Sequence, residues 1–181
     1  MAKNDNPHAL RMHQAITEMK SADMADSFAE NHPLSKSAYV DQKQKWACEV
    51  CAYLESQCTP EEAVSIRRMC RCNDGKTMAN EILCAIRKSE DLAAACTHFT
   101  QHNRYAFLEY ISDHELHFGY HACVCSCVKR SNQNVPLLWC ECTVGYALSM
   151  FRTIFGDTVE VTLLESVKSG GQCCKMKITW S

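Results

Sequence analysis

The stretch "HFGYHACVCSCVKRSNQNVPLLWCEC", residues 117 to 142, decides how the rest of the chain is read, because five of the fourteen cysteines lie in it. Side chains of an extended strand alternate between faces. Leu116, Phe118, Tyr120, Ala122, Val124 and Val128 therefore share one side, and His117, His121, Cys123, Cys125 and Cys127 the other. One face is apolar; the other is a row of imidazoles and thiols. Asn132, Asn134 and Pro136 then mark a loop, after which Cys140 and Cys142 again place two thiols one residue apart. Thiolates suit soft or borderline metals, and a structural zinc takes about four such ligands brought together from two chain segments. The stretch predicts a metal or ligand site.

Outward toward the carboxyl end, "TVGYALSMFRTIFG" places Val144, Leu148, Phe151 and Phe155 on one helical stripe, with Thr143 as N-cap and Gly156 just past the end. Cys140 and Cys142 then sit at a loop-to-helix junction, where the helix N-terminus favours a thiolate. "TVEVTLLESV" alternates, putting Glu165 in line with Val159, Val161, Leu163 and Val167, a break in an apolar face of the kind found at functional or strained positions. "KSGGQ" is a turn. Cys174, Met176, Ile178 and Trp180 form the inner face of a last strand, from which Cys173 points outward.

Outward in the other direction, Tyr105 to Ile111 and Leu116 to Val128 flank "SDHE" as a β-hairpin. Before it the period is helical. Residues 9 to 29 read as one weak amphipathic helix. Tyr39, Trp46, Val50 and Tyr53 mark a second over residues 35 to 58, whose Cys48 and Cys51 read as buried thiols. Thr59, Pro60 and Glu62 make a capping box with proline at the first helical position, so a helix runs from Pro60 to about Cys70. Cys70 and Cys72 fall where it meets the Asn73-Asp74-Gly75 turn, a place from which side chains can be aimed as ligands. Two further helices follow, with Cys84 and Cys96 expected in their cores and His98 and His102 on a solvated face. The fold class is α+β: N-terminal helices, then an antiparallel sheet of two hairpins flanking a helix.

A chain of 181 residues with 46% apolar and 22% charged content has the composition of a globular protein with a real core. The expected organisation is a helical or partly ordered arm over residues 1 to 34 and one cysteine-rich domain over 35 to 181. A net charge of -2 supplies no basic patch, which argues against nucleic acid and anionic membrane as partners. No apolar run is long enough to span a bilayer, and the polar start "MAKNDNPHALRMHQ" points to the cytoplasm. In that reducing compartment, cysteines are better explained by metal binding, catalysis or packing than by disulfides.

The runs "KWACEVCAYLE", "MCRCNDGK", "CVCSCVK", "WCECTVGYALSMF", "FGDTVEVTLLESVKSGG" and "CKMKI" resemble an uncharacterised cysteine-rich bacterial family, related to the L-2-amino-thiazoline-4-carboxylate hydrolases and the 4-vinyl-reductase-type ligand-binding domains. The resemblance covers about residues 37 to 180. It implies a compact αβ domain with a pocket for a small organic molecule. Its sensor members hold zinc through a glutamate and cysteines near the last hairpin. Glu165, Gly170 and Cys174 match three of those positions, but Lys168 stands where the middle cysteine belongs.

Three functional expectations follow. The first is a cytoplasmic zinc-binding domain that holds a small organic ligand or acts as an accessory protein, with Cys125, Cys127, Cys140 and Cys142 as the preferred ligands and Cys70, Cys72 and Cys174 as further ones. The second is a hydrolase of the thiazoline-carboxylate ring-opening type, with Cys123 as nucleophile, His121 as proton carrier and Glu165 as base. The third is an iron–sulfur or thiol redox protein, since the cysteines outside helix cores exceed the need of one zinc. A homodimer is compatible with each.

Overall fold

The computed structural model describes residues 4–181, so the first three residues of the expected arm lie outside the described residues. The chain is α+β, as its periodicities predict. It divides into two compact units. One comprises the residues up to Cys72 together with Cys125–Gly145; the other comprises Asn73–Val124 and Tyr146–Ser181.

The first unit is helical. Helix α1 (Pro7–Met19) starts where the Asn6 side chain accepts the His8 backbone N–H at 3.0 Å and Pro7 takes the first position. The single helix expected over residues 9 to 29 is two. Ser21 accepts the Met24 N–H at 3.2 Å and starts α2 (Ala22–Asn31), its hydroxyl competing with helix continuation. Met12, Ile16 and Phe28 bury their side chains. Helix α3 (Val40–Gln57) buries Trp46, Val50, Cys51 and Leu54; of the stripe expected from sequence, Tyr53 is half-buried and Tyr39 lies exposed ahead of the helix, and Cys48, expected to be buried, is half-buried. Helix α4 (Pro60–Met69) has the full capping box: Thr59 Oγ1 accepts the Glu62 N–H and Glu62 Oε2 accepts the Thr59 N–H.

The second unit carries α5 (Lys76–Lys88), α6 (Leu92–His102), and an antiparallel sheet of β1 (Ala106–Ser112), β2 (Glu115–Tyr120), β3 (Glu160–Glu165) and β4 (Cys174–Thr179). The order is β1-β2-β4-β3, so the two hairpins pair through their later strands. Register puts Leu116 opposite Ile178 and Phe118 opposite Met176, all four fully buried, while His117 faces Lys177 on the other side. Helix α7 (Glu141–Phe155) joins the hairpins in sequence, and Phe151 meets Phe118 edge-on at 5.5 Å. Cys96 is buried as expected, but Cys84 is exposed, because its helix buries Ala79, Ile82 and Ala85 instead.

The extended run expected through Val128 stops at Tyr120. Residues 126 to 130 form a turn, with the Lys129 N–H bonded to the Cys125 carbonyl at 2.9 Å. The alternation of thiols in "CVCSC" therefore lies in irregular chain, where period 2 no longer sets direction.

Candidate functional site

The site is built in the helical unit, around a residue that breaks the apolar stripe of α4. Ala63, Ile66, Arg67 and Cys70 follow the i, i+3, i+4, i+7 spacing of a buried face, and all four are buried. Arg67 is 2% exposed. Its Nη2 donates to the Trp139 carbonyl at 2.7 Å, and its guanidinium carbon lies 4.0 Å from the centre of the Trp139 ring. Trp139 sits in a short 3₁₀ helix, Leu137–Cys140, that leads into α7, and it meets Trp46 edge-on at 5.8 Å. Gly145 allows the close approach of this segment to α4: a Cβ there would lie 1.9 Å from the Arg68 carbonyl oxygen, while Arg68 Nε pairs with Glu141 at 2.8 Å.

Thiols surround the buried cation. Burial works against the guanidinium charge, while Cys142, Cys70, Cys51 and Cys125 raise its pKa through the thiolates they form at high pH. The thiols respond in the opposite sense. Burial pushes Cys51, Cys127 and Cys142 up to about 12 each, and raises Cys70, against the opposing pull of Arg67. For Cys142 the position in the first turn of α7 was expected to favour the thiolate. A helix terminus contributes about 1 kcal/mol at most, whereas a rise from 9.0 to about 12 corresponds to roughly 4 kcal/mol. Desolvation wins, and these thiols are neutral at physiological pH.

A second cation and a histidine complete the cluster. Arg11 Nη2 donates to His8 Nδ1 at 3.1 Å and to Cys72 Sγ at 3.5 Å. Arginine only donates, so His8 Nδ1 is the acceptor and Nε2 carries the proton, which it donates to Ser126 Oγ at 2.9 Å. Burial, with Arg11, Arg67 and Lys43 adding to it, lowers His8 to about 4. This direction of hydrogen bonding is opposite to that of a base activating a serine.

Four buried polar side-chain atoms have no hydrogen-bond partner among the described residues: Arg11 Nε, Arg67 Nε, Trp139 Nε1 and Gln44 Oε1. All four belong to the helical unit. Gln44 lies nearby in the chain of contacts, its Nε2 donating to the Asn134 carbonyl at 2.7 Å in the segment that carries Trp139.

The residues expected from sequence divide between the units. Cys70, Cys72, Cys125, Cys127, Cys140 and Cys142 share the helical unit. Cys127 donates to the Lys43 carbonyl at 3.7 Å, and Cys70 to the carbonyls of Ile66 and Arg11. Cys123, His121, Glu165 and Cys174 belong to the sheet unit. His121 is exposed with its ring 5.0 Å from Phe107, and Cys123 is half-buried in the loop after β2. Glu165 closes the turn between β3 and β4. Its Oε1 accepts the backbone N–H groups of Gln172 and Cys173, which hold the carboxyl below the usual carboxylate range, and Gly171 leaves it room. The register shift after Leu163 takes Glu165 out of the apolar line in which sequence placed it.

The zinc and iron–sulfur expectations are overturned. Among the described residues, no three His, Cys, Asp or Glu side chains are arranged to hold a metal ion. Several of the proposed thiols spend their hydrogens on carbonyls, and the charge at the centre of the cluster is a guanidinium, which repels a cation. The residues that the sequence reading missed are Arg67, Arg11, His8, Trp139 and Gln44. The signal was present for Arg67, a charge at an i+4 position of an apolar stripe; the others are distinguishable only by what they meet in space.

The chain belongs to a family of unknown function (DUF6144), whose profile matches residues 6–181. That assignment corrects the resemblance to thiazoline-carboxylate hydrolases and 4-vinyl-reductase-type domains, which the comparisons do not support. No curated protein matches the chain. Among solved structures, an H-NOX domain from Shewanella oneidensis in the Fe(II)CO ligation state covers 97% of this chain and 98% of its own at 10% identity, with a TM-score of 0.49. A mutant H-NOX protein from S. oneidensis in the Fe(II) ligation state covers 97% and 96% at 10% identity, with a TM-score of 0.47. Likenesses at this level assign no chemistry to the chain. No helix among the described residues is long and apolar enough to cross a membrane.

Proposed function

We infer that the helical unit is a receptor for a small organic molecule, bound among Arg67, Trp139, Arg11 and the neighbouring thiols. One observation carries this reading. The polar atoms left without partners in the buried parts of the described chain are all in that unit, and two of them belong to a stacked pair, Arg67 and Trp139. A buried donor or acceptor without a partner costs about 1–3 kcal/mol, so four of them weigh heavily against a stability that is typically about 5–15 kcal/mol. A ligand that met them would recover that cost on binding. The thiols supply a soft, neutral wall rather than a reactive one, since burial keeps Cys51, Cys127 and Cys142 protonated.

The test is native mass spectrometry of the protein as purified, combined with a thermal-shift screen of small organic compounds of every charge type. A bound organic mass released on denaturation, or a compound that raises Tm, is expected; at a hundredfold its Kd, a ligand stabilises by about 2.7 kcal/mol. Bare protein mass together with no shift from any compound would refute the reading.

A further inference from the structure

We propose that the molecule held at this site is a monocarboxylate with an apolar body, its carboxylate taking the unused N–H groups of Arg67, Arg11 and Trp139. The proposal rests on the receptor reading above and adds the ligand's charge class. Two inventories lead to it. The first is of hydrogen bonding: of the four unpartnered buried atoms, three are N–H donors and one is a carbonyl acceptor. A site with an excess of donors is completed by a group rich in lone pairs. The second is of charge. Arg67 is buried and, among the described residues, forms no ion pair with a carboxylate; among the thiols that act on it, Cys51, Cys70 and Cys142 are kept protonated by burial. Arg11 and Arg67 both act on His8 and on Cys70, so two positive charges address one region, and His8, being neutral, adds none. A guanidinium in low-dielectric surroundings calls for one compensating negative charge, and its fork of donors matches a carboxylate.

The neighbouring side chains narrow the class. Beside these donors lie the Trp139 and Trp46 rings and the thiols, which favour an aromatic or aliphatic body. A phosphate dianion costs more to strip of water than a carboxylate and has no apolar body to set against Trp139 and Trp46. One negative charge is the better match.

The probes are acetate, benzoate and phenylacetate, with benzamide as the neutral counterpart of benzoate and inorganic phosphate as the dianion, each titrated in low-chloride buffer with Tm and calorimetric Kd as readouts. Benzoate is expected to raise Tm in a concentration-dependent way while benzamide and phosphate do not. Trp139→Phe keeps an aromatic ring beside Arg67 and removes one unpaired donor; it should weaken benzoate binding by about 3- to 10-fold, read as calorimetric Kd on the folded variant, whose own Tm without carboxylate is lowered by the cavity the smaller ring leaves. Arg67→Met should abolish binding, a loss of at least about 100-fold. Equal shifts from benzoate and benzamide, a larger shift from phosphate, or benzoate binding that survives in both variants would each overturn the proposal. So would the absence of any carboxylate shift. In that case, neutral compounds that bind in the screen would leave the receptor reading standing, and their absence would remove both.

Discussion

Arg67 is held against its own solvation. Moving an ammonium- or guanidinium-sized ion out of water costs several kcal/mol even after the protein relaxes. Its hydrogen bond to the Trp139 carbonyl returns about 1.5–3 kcal/mol, and the ring face about 2 kcal/mol. His8 shows the same field from the other side. Its folded pKa of about 4 lies below the ordinary 6.5, so between these values the native state binds fewer protons than the unfolded chain. Stability is therefore full above pH 6.5 and falls as pH drops toward 4, by up to about 3 kcal/mol. Urea midpoints at pH 7 and pH 4.5 should separate in the native sequence and converge in a His8→Gln variant. Equal separations in the two proteins would show that His8 is not the titrating group.

Among the elements, two junctions fix the site. Helix α4 is started by the Thr59–Glu62 box, with Lys20 reaching Glu62 at 2.5 Å, and a Thr59→Ala change should cost about 1 kcal/mol in chemical denaturation without altering ligand affinity. Where α4 meets α7, Gly145→Ala should cost about 3 kcal/mol, because the added methyl meets backbone rather than a side chain that can move aside. In the sheet unit, Glu165 ties the β3–β4 turn through two backbone N–H groups. Its carboxyl is held low, so this contribution is present above the ordinary carboxylate pKa and is lost as pH falls through the folded value. Glu165→Gln should weaken protection of the β4 amides in hydrogen exchange at neutral pH and leave that protection insensitive to acid.

Across the molecule, fourteen free thiols are sorted by burial rather than by chemistry. Brief alkylation with iodoacetamide at pH 8 should label the exposed Cys72 and Cys84 first and spare Cys51, Cys70, Cys96 and Cys127 until the protein unfolds. Peptide mass spectrometry checks the order, and early labelling of Cys51 or Cys127 would contradict the neutral-wall reading. The sheet was legible because Leu116, Phe118, Met176 and Ile178 alternate with polar neighbours, a pattern that pairing merely completes. The division of α1 from α2 was harder to read, since a serine cap competes with a propensity that is continuous across Lys20 and Ser21.

The sequence alone determined the α+β class, the capping box of α4, the two hairpins and the helix between them, since these follow from local periodicity and from residues a few positions apart. It also displayed the cysteines, and there it misled: spacing within "CVCSC" suggested ligands, but alternation holds only while a strand persists. Tertiary structure decided that the charge at the centre of the thiols is positive. Arg67, Trp139, Arg11 and His8 come from three distant segments, and whether a buried group finds a partner depends on every residue packed around it, a property that no local pattern encodes.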